Sequence, residues 1–264
     1  MNKVITLIKK EWADVFRNRY VLYIVIFMPL IMVLLPAIVL GLGANPSLIS
    51  GMQDEVPPQL MEVEPYASLE PQEAIQAFVG QQFNLFFLIL PLAIPMTIAT
   101  YSIVGEKREH SLEPLLATPI STAQLLAGKA LAAAAPGVAT AWLSGLLYAL
   151  LLYFVVPSAA VRSILLSETF LLNLGLIAPL LTILATTVGL MVSSRVNDPR
   201  AAEQLGMVVI IPVIALILGQ VAGVITVSSA LALGMAAILL VVDLALLALA
   251  VRLFDRETIL TRWK

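Results

Sequence analysis

Few residues in this chain have the types and spacing that chemistry requires, and the usual catalytic constellations fail one after another. The nearest approach to a phosphate-binding loop is Gly128-Lys129. There Ala123 stands where the first glycine belongs, and Ala130 where a Ser or Thr would ligate magnesium. Cysteine is absent and His110 is the single histidine, which excludes thiolate nucleophiles, disulfides and His-rich metal sites together. Neither an HExxH metal motif nor a GxSxG nucleophile elbow occurs. No catalytic residue, no metal and no cofactor bound by this chain is therefore expected. Three features remain: one acid inside an apolar run (Asp243), a scatter of amides and hydroxyls, and a dense polar stretch over 105–129.

The elements that must position these residues follow from composition. Of 264 residues 60% are hydrophobic and 12% charged, and the mean hydropathy is +0.99. Soluble domains carry about 25% charge, so this chain lacks the polar residues to cover a water-facing surface. A bilayer-spanning helix needs roughly 20 apolar residues. Charge-free runs after Arg19, Glu73, Lys129 and Glu168 each hold one, at about 20–42, 82–104, 130–156 and 169–192. From Gln204 to Val251 only Asp243 is charged, and that run would extend roughly 70 Å as one helix, more than twice a hydrocarbon core. It must turn back near Ile225–Ser229, giving spans at 206–225 and 230–251, or form a re-entrant half-helix around Gly219–Gly223. Pro29, Pro36, Pro91, Pro95, Pro179 and Pro212 fall within spans and mark kinks, tolerable where neighbours re-satisfy the freed carbonyls.

If the spans alternate, fourteen of the 15 Lys and Arg residues lie on one side. That asymmetry places both termini in the cytoplasm of a multi-pass membrane protein. The opposite loop, 43–81, carries six acids and Pro57-Pro58; it reads as solvated, or as a vestibule that attracts cations. In 1–19, Val4, Ile5, Ile8, Trp12, Val15 and Phe16 recur at helical spacing between basic residues, the pattern of an interfacial elbow helix leading into the first span. In 105–129 helix-start signals occur twice: Thr118-Pro119, and the capping box Ser121-x-x-Gln124 opening the third span. The segment describes a short cytoplasmic helix, a break, and a second helix entering the membrane.

This segment resembles that of type-2 ABC transporter permeases. Gly105, Glu106, Lys107, Leu112, Glu113, Leu115, Leu116, Thr118, Pro119, Ile120, Gly128 and Lys129 match the pattern, while His110 replaces a glycine and Ser111 a threonine. The ending Leu253–Leu260 is similar to sodium-extrusion-type members, and the order of elements agrees over essentially the whole chain. The resemblance implies an all-α, polytopic permease of six transmembrane helices over 1–264, with an elbow helix at 1–19 and a coupling helix between spans two and three. It implies an exporter subunit of a prokaryotic inner membrane, coupled to ATP hydrolysis on a separate ABC ATPase that carries the ATP and magnesium. A second permease copy or homologue would complete a dimer in the lipid bilayer, and no nucleic acid is expected as partner. Glu106, Lys107, Arg108, Glu109 and Glu113 would make the polar contacts with the ATPase, and Leu112, Leu115 and Leu116 the apolar ones. An ATP-independent carrier or a membrane assembly scaffold is the alternative, although a carrier usually shows internal repeats and several ionisable groups at mid-membrane.

An intramembrane carboxylate costs about 2.5–3.5 kcal/mol on insertion scales, so Asp243 must face protein or water. It fits a cation or proton site, or a structural partner for a hydroxyl, amide or basic group. Asn84, Thr97, Thr100, Tyr101 and Asn173 could line a pathway with it, as could Thr182, Thr186, Thr187 and Gln220; interhelical hydrogen bonding is their other use.

Overall fold

The computed structural model describes residues 3–42, 65–108, 120–225 and 227–253, without the side chains of Thr122 and Leu253. Among the described residues all regular structure is helical. Six helices are long and apolar enough to cross a membrane: Arg19–Leu42, Pro71–Arg108, Ala123–Val155, Ala159–Arg195, Pro199–Val221 and Ser229–Arg252. They are called here the first to sixth spans. An amphipathic helix, Lys3–Arg17, precedes them and buries Leu7, Glu11 and Val15 along one stripe.

The second span begins at Pro71, so 71–81, expected as the end of the outer loop, are its first turns. The local reason is in the sequence: Pro71 sits at the helix start, where its missing N–H is not needed, and Glu73 lies in the first turn against the positive end of the helix dipole. The fourth and fifth spans likewise start earlier than their apolar runs. Ser158 accepts from Val161 N–H at the head of Ala159–Leu165, and Asp198 accepts from Ala201 N–H at the head of Pro199–Gly206. The capping box at the third span is present, with Gln124 N–H donating to Ser121 Oγ at 3.2 Å and Ser121 N–H to Gln124 Oε1 at 3.2 Å.

Prolines punctuate the spans as their chemistry requires. A proline cannot donate to the carbonyl four residues back. Ahead of Pro91 the turn tightens over Phe87–Ile89, with Leu90 N–H donating to Phe87 O, and ahead of Pro212 it tightens over Met207–Ile210. Ahead of Pro179 it widens instead into a π turn at Asn173–Ile177. The fifth and sixth spans are joined by a turn around Gly223, whose φ of 69° suits glycine. The chain therefore turns back rather than forming a half-helix.

The second span is the axis of the bundle. In its most apolar stretch 83% of residues are buried, against 17% in the sixth span. It packs most extensively on the lower half of the fourth span, Ala178–Arg195, and then on the third. One apolar cluster joins the first, second, third and fourth spans with the N-terminal helix; another joins the second, fourth, fifth and sixth.

Candidate functional site

Polar side chains are concentrated at the two ends of this bundle. At the end bearing the N-terminal helix, the last turns of the second span reach four other elements. Glu106 is buried between two lysines, its Oε1 lying 2.6 Å from Lys10 Nζ and its Oε2 2.7 Å from Lys129 Nζ. Lys129 also lies 2.8 Å from Glu11 Oε1 and donates to Ser102 Oγ at 2.8 Å, while Ser102 donates to Glu11 Oε2. Glu11, Glu106 and Lys129 are each at most 5% exposed. Buried charges of this kind are tolerable because each meets its opposite. Burial alone would raise the Glu11 carboxyl, but Lys129 and the Ser102 hydroxyl hold it below its ordinary range. Burial would likewise lower Lys10, and the hydrogen bond to Glu106 together with the field of Glu11 raises it instead.

Close approach of the backbones makes the cluster possible. A Cβ at Gly128 would stand 2.5 Å from Leu7 Cδ2, so the glycine lets the N-terminal helix lie against the start of the third span. Trp12 Nε1 donates to Ala132 O at 2.9 Å one turn further along.

Lys107 and Arg108 face the opposite way. The buried Lys107 ammonium donates to Ser193 O, Ser194 O and Val196 O at 2.8, 2.7 and 3.1 Å, closing the carbonyl end of the fourth span. Arg108 pairs with Asp198, the residue that caps the fifth span. The Ala201 N–H, helped by Arg108, holds the Asp198 carboxyl below its ordinary range. One turn deeper, Glu203 of the fifth span receives hydrogen bonds from Thr97 and, at 3.2 Å, from Tyr20 OH of the first.

Of the residues expected to touch an ATPase, Glu106 and Lys107 are thus turned inward onto the chain's own helices, because tertiary partners are close enough to pair them. Arg108 is exposed at the rim. Glu109, Leu112, Glu113, Leu115 and Leu116 lie outside the described residues. The sequence reading missed Glu11 and Lys129 as members of this cluster. The signal available was Glu11 itself, a charge at helical spacing between Leu7 and Val15 on the buried stripe.

Among the described residues, the buried polar groups at the far end are neutral. Asn84 of the second span, Asn173 of the fourth and Gln220 of the fifth, all more than nine-tenths buried, line one cavity of about 40 Å³ with Gln81, Ser167 and Thr169 around it. Asn84 Nδ2 donates to Leu165 O at 2.8 Å, which fixes the amide and leaves Oδ1 without a donor; Gln220 Oε1 also lacks one. Asn173 opens the π turn.

The structure therefore brings Asn84 and Asn173 together and separates them from the other pathway candidates. Thr100 donates to Met96 O of its own helix, Thr97 joins the second span to Glu203 of the fifth, and Tyr101 stacks on Tyr20 with ring centroids 5.5 Å apart. Asp243 lies between the two ends, 3% exposed, on the stripe of the sixth span that also buries Ala232 and Ala236. Neither of its oxygens has a hydrogen-bond partner among the described residues, nor do the buried hydroxyls of Thr182 and Thr186 on the fourth span packed beside it. No group of three or more potential metal-ligating side chains occurs among the described residues.

Comparison with known proteins gives one family. The family model described as "ABC-2 family transporter protein" matches residues 5–234. No curated protein matches the chain.

Proposed function

This chain belongs to the ABC-2 transporter family and is a multi-pass membrane permease component of an ABC transporter; on that premise we propose that it is an exporter subunit driven by ATP hydrolysis on a separate ATPase, working as a dimer. The basic end faces the cytoplasm of a prokaryotic inner membrane, in keeping with the charge asymmetry. Residues 109–119 dock on the ATPase through Glu109, Leu112, Glu113, Leu115 and Leu116, with Arg108 at the rim.

The observation that carries this reading is the position of Glu106, Lys107 and Arg108 just before that segment. They join the second span to the N-terminal helix and to the third, fourth and fifth spans. A pull on 109–119 would be shared by all of them, since buried ion pairs and packed helices move between discrete arrangements rather than stretch. Glu106 and Lys107 are positioning residues in this scheme. The N-terminal helix is the elbow, lying at the membrane surface with Trp12 at its apolar side.

The test is copurification with an ABC ATPase subunit. Glu113→Arg should weaken association and lower ATP turnover; unchanged binding with unchanged turnover refutes the docking assignment. Asp243 serves as a proton or cation site on the transport path, because a buried carboxyl without a partner is retained at a cost that structure alone does not repay. Asp243→Asn should abolish transport while the assembled complex persists, and normal transport by that variant ends the assignment.

A further inference from the structure

One side of the ion-pair cluster is open. A cleft of about 540 Å³ runs between the N-terminal helix, the start of the first span and the last turns of the second. We propose that it seats the headgroup of one phosphatidylethanolamine molecule of the surrounding bilayer, with the phosphate at Arg17 and Asn18 and the ammonium at Asp14. The proposal rests on the membrane-surface placement of the N-terminal helix and on nothing about ATP or export.

Depth selects a headgroup. Among the lining residues, Val21 lies in the first turn of the first span, and Tyr101, Ser102 and Gly105 lie in the last turns of the second. The cleft therefore sits where the spans leave the hydrocarbon. The same elements expose apolar surface on which acyl chains can lie: Ile5, Trp12 and Phe16 on the N-terminal helix, Tyr23, Phe27 and Leu30 on the first span.

Charge selects a zwitterion. Glu11 and Glu106 are buried and share Lys10 and Lys129, which leaves Arg17 and Asp14 as the opposite charges exposed at the mouth. They stand three residues apart on one helix, yet no ion pair joins them; Asp14 turns to Lys10 at 3.2 Å. A headgroup with net negative charge finds no surplus cation here, whereas phosphate and ammonium in one molecule offer a partner to each. A guanidinium suits phosphate. Asn18 Oδ1 accepts from Tyr20 N–H at 3.0 Å, which orients the amide and leaves Nδ2 to donate. A primary ammonium brings three N–H donors to the carboxylate, and choline brings none.

Gly105 keeps the cleft open. A Cβ there would meet nothing within 4 Å, so no neighbouring helix demands the glycine, and within a helix glycine is a poor choice. Gly128 differs, since Leu7 fills the space its side chain would take.

The test releases the full chain from nanodiscs of equal parts phosphatidylethanolamine, phosphatidylcholine and phosphatidylglycerol, and counts retained lipids by native mass spectrometry. One phosphatidylethanolamine per chain should be retained about threefold over either competitor, the scale of one partly exposed ion pair. Asp14→Asn should remove the preference over phosphatidylcholine, and Arg17→Gln should lower retention of both alike. Gly105→Leu should abolish retention while the unfolding midpoint holds; if that variant does not fold, the Asp14 and Arg17 variants decide. Equal retention of all three lipids, a preference that survives Asp14→Asn, or retention by folded Gly105→Leu each overturns the proposal. So does the absence of any retained lipid, the result if residues 109–119 of the chain itself fill the cleft. Glu113→Arg should leave retention unchanged, so failure at the ATPase is distinguishable from failure here.

Discussion

The two ends of the bundle handle buried polarity in opposite ways. At the basic end formal charges are buried and matched: Lys129 lies between Glu11 and Glu106, and Lys107 caps three carbonyls. At the other end the buried groups are neutral amides with acceptor oxygens left over. A fully paired charge cluster fixes the relative positions of the helices that contribute to it and is expensive to break. Neutral amides joined to neighbouring helices by single hydrogen bonds, such as Asn84 to Leu165 O, tie their helices together less firmly.

The contrast can be broken most severely at Lys129. Lys129→Met leaves two buried carboxylates without their shared cation and should cost about 3–5 kcal/mol, read as a lowered unfolding midpoint in detergent. Adding Glu11→Gln should recover part of that loss; purely additive losses would mean that the cluster is not one unit. Next comes Lys107→Met, which orphans carbonyls at the end of the fourth span and should cost about 1–3 kcal/mol. Hydrogen exchange should localise the loosening to 190–198, and uniform loosening of the whole chain would count against a local cap.

The smallest effect sharpens the comparison through pH. Glu11 is held below its ordinary value of 4.5, so its contribution is present above that pH and lost as pH falls through the lower folded value. Lys10 is held above 10.5, so its contribution is present below that pH and lost only as pH rises through the higher folded value. Between about 5 and 10 exchange protection of residues 3–17 should be flat, and it should fall on either side. No formally charged side chain lines the amide cavity. Protection at that end should not follow the same profile, and a matching profile at both ends would remove the distinction.

The sequence exposes one of these ends better than the other. The spans are readable because charge is missing over runs of twenty or more residues, and Ser121 and Gln124 announce the third span with side chains that bond the backbone beside them. Asn84 and Asn173 stand out as amides in apolar surroundings, although nothing local says that they share a cavity with Gln220. The charged end misleads. Glu106 and Lys107 are polar residues at the edge of an apolar run, and by themselves they read as solvated contacts. What buries them are partners 96 and 86 positions away, a tertiary fact that periodicity does not encode. The early start of the second span was hidden for a different reason: Glu73 reads as loop, whereas a helix start favours an acid there.

The pairing of Glu11 with Lys129 also sets an order of events during biosynthesis. Glu11 leaves the ribosome 118 residues before its cation does, an interval of roughly 6–24 s at about 5–20 residues per second. Throughout that time Glu11 has only the half-exposed Lys10 beside it as counter-charge, so burying it before Lys129 arrives would leave the carboxylate poorly paired. Only when the head of the third span arrives can that helix be sealed against it, so a segment made before the first span is locked only after the second.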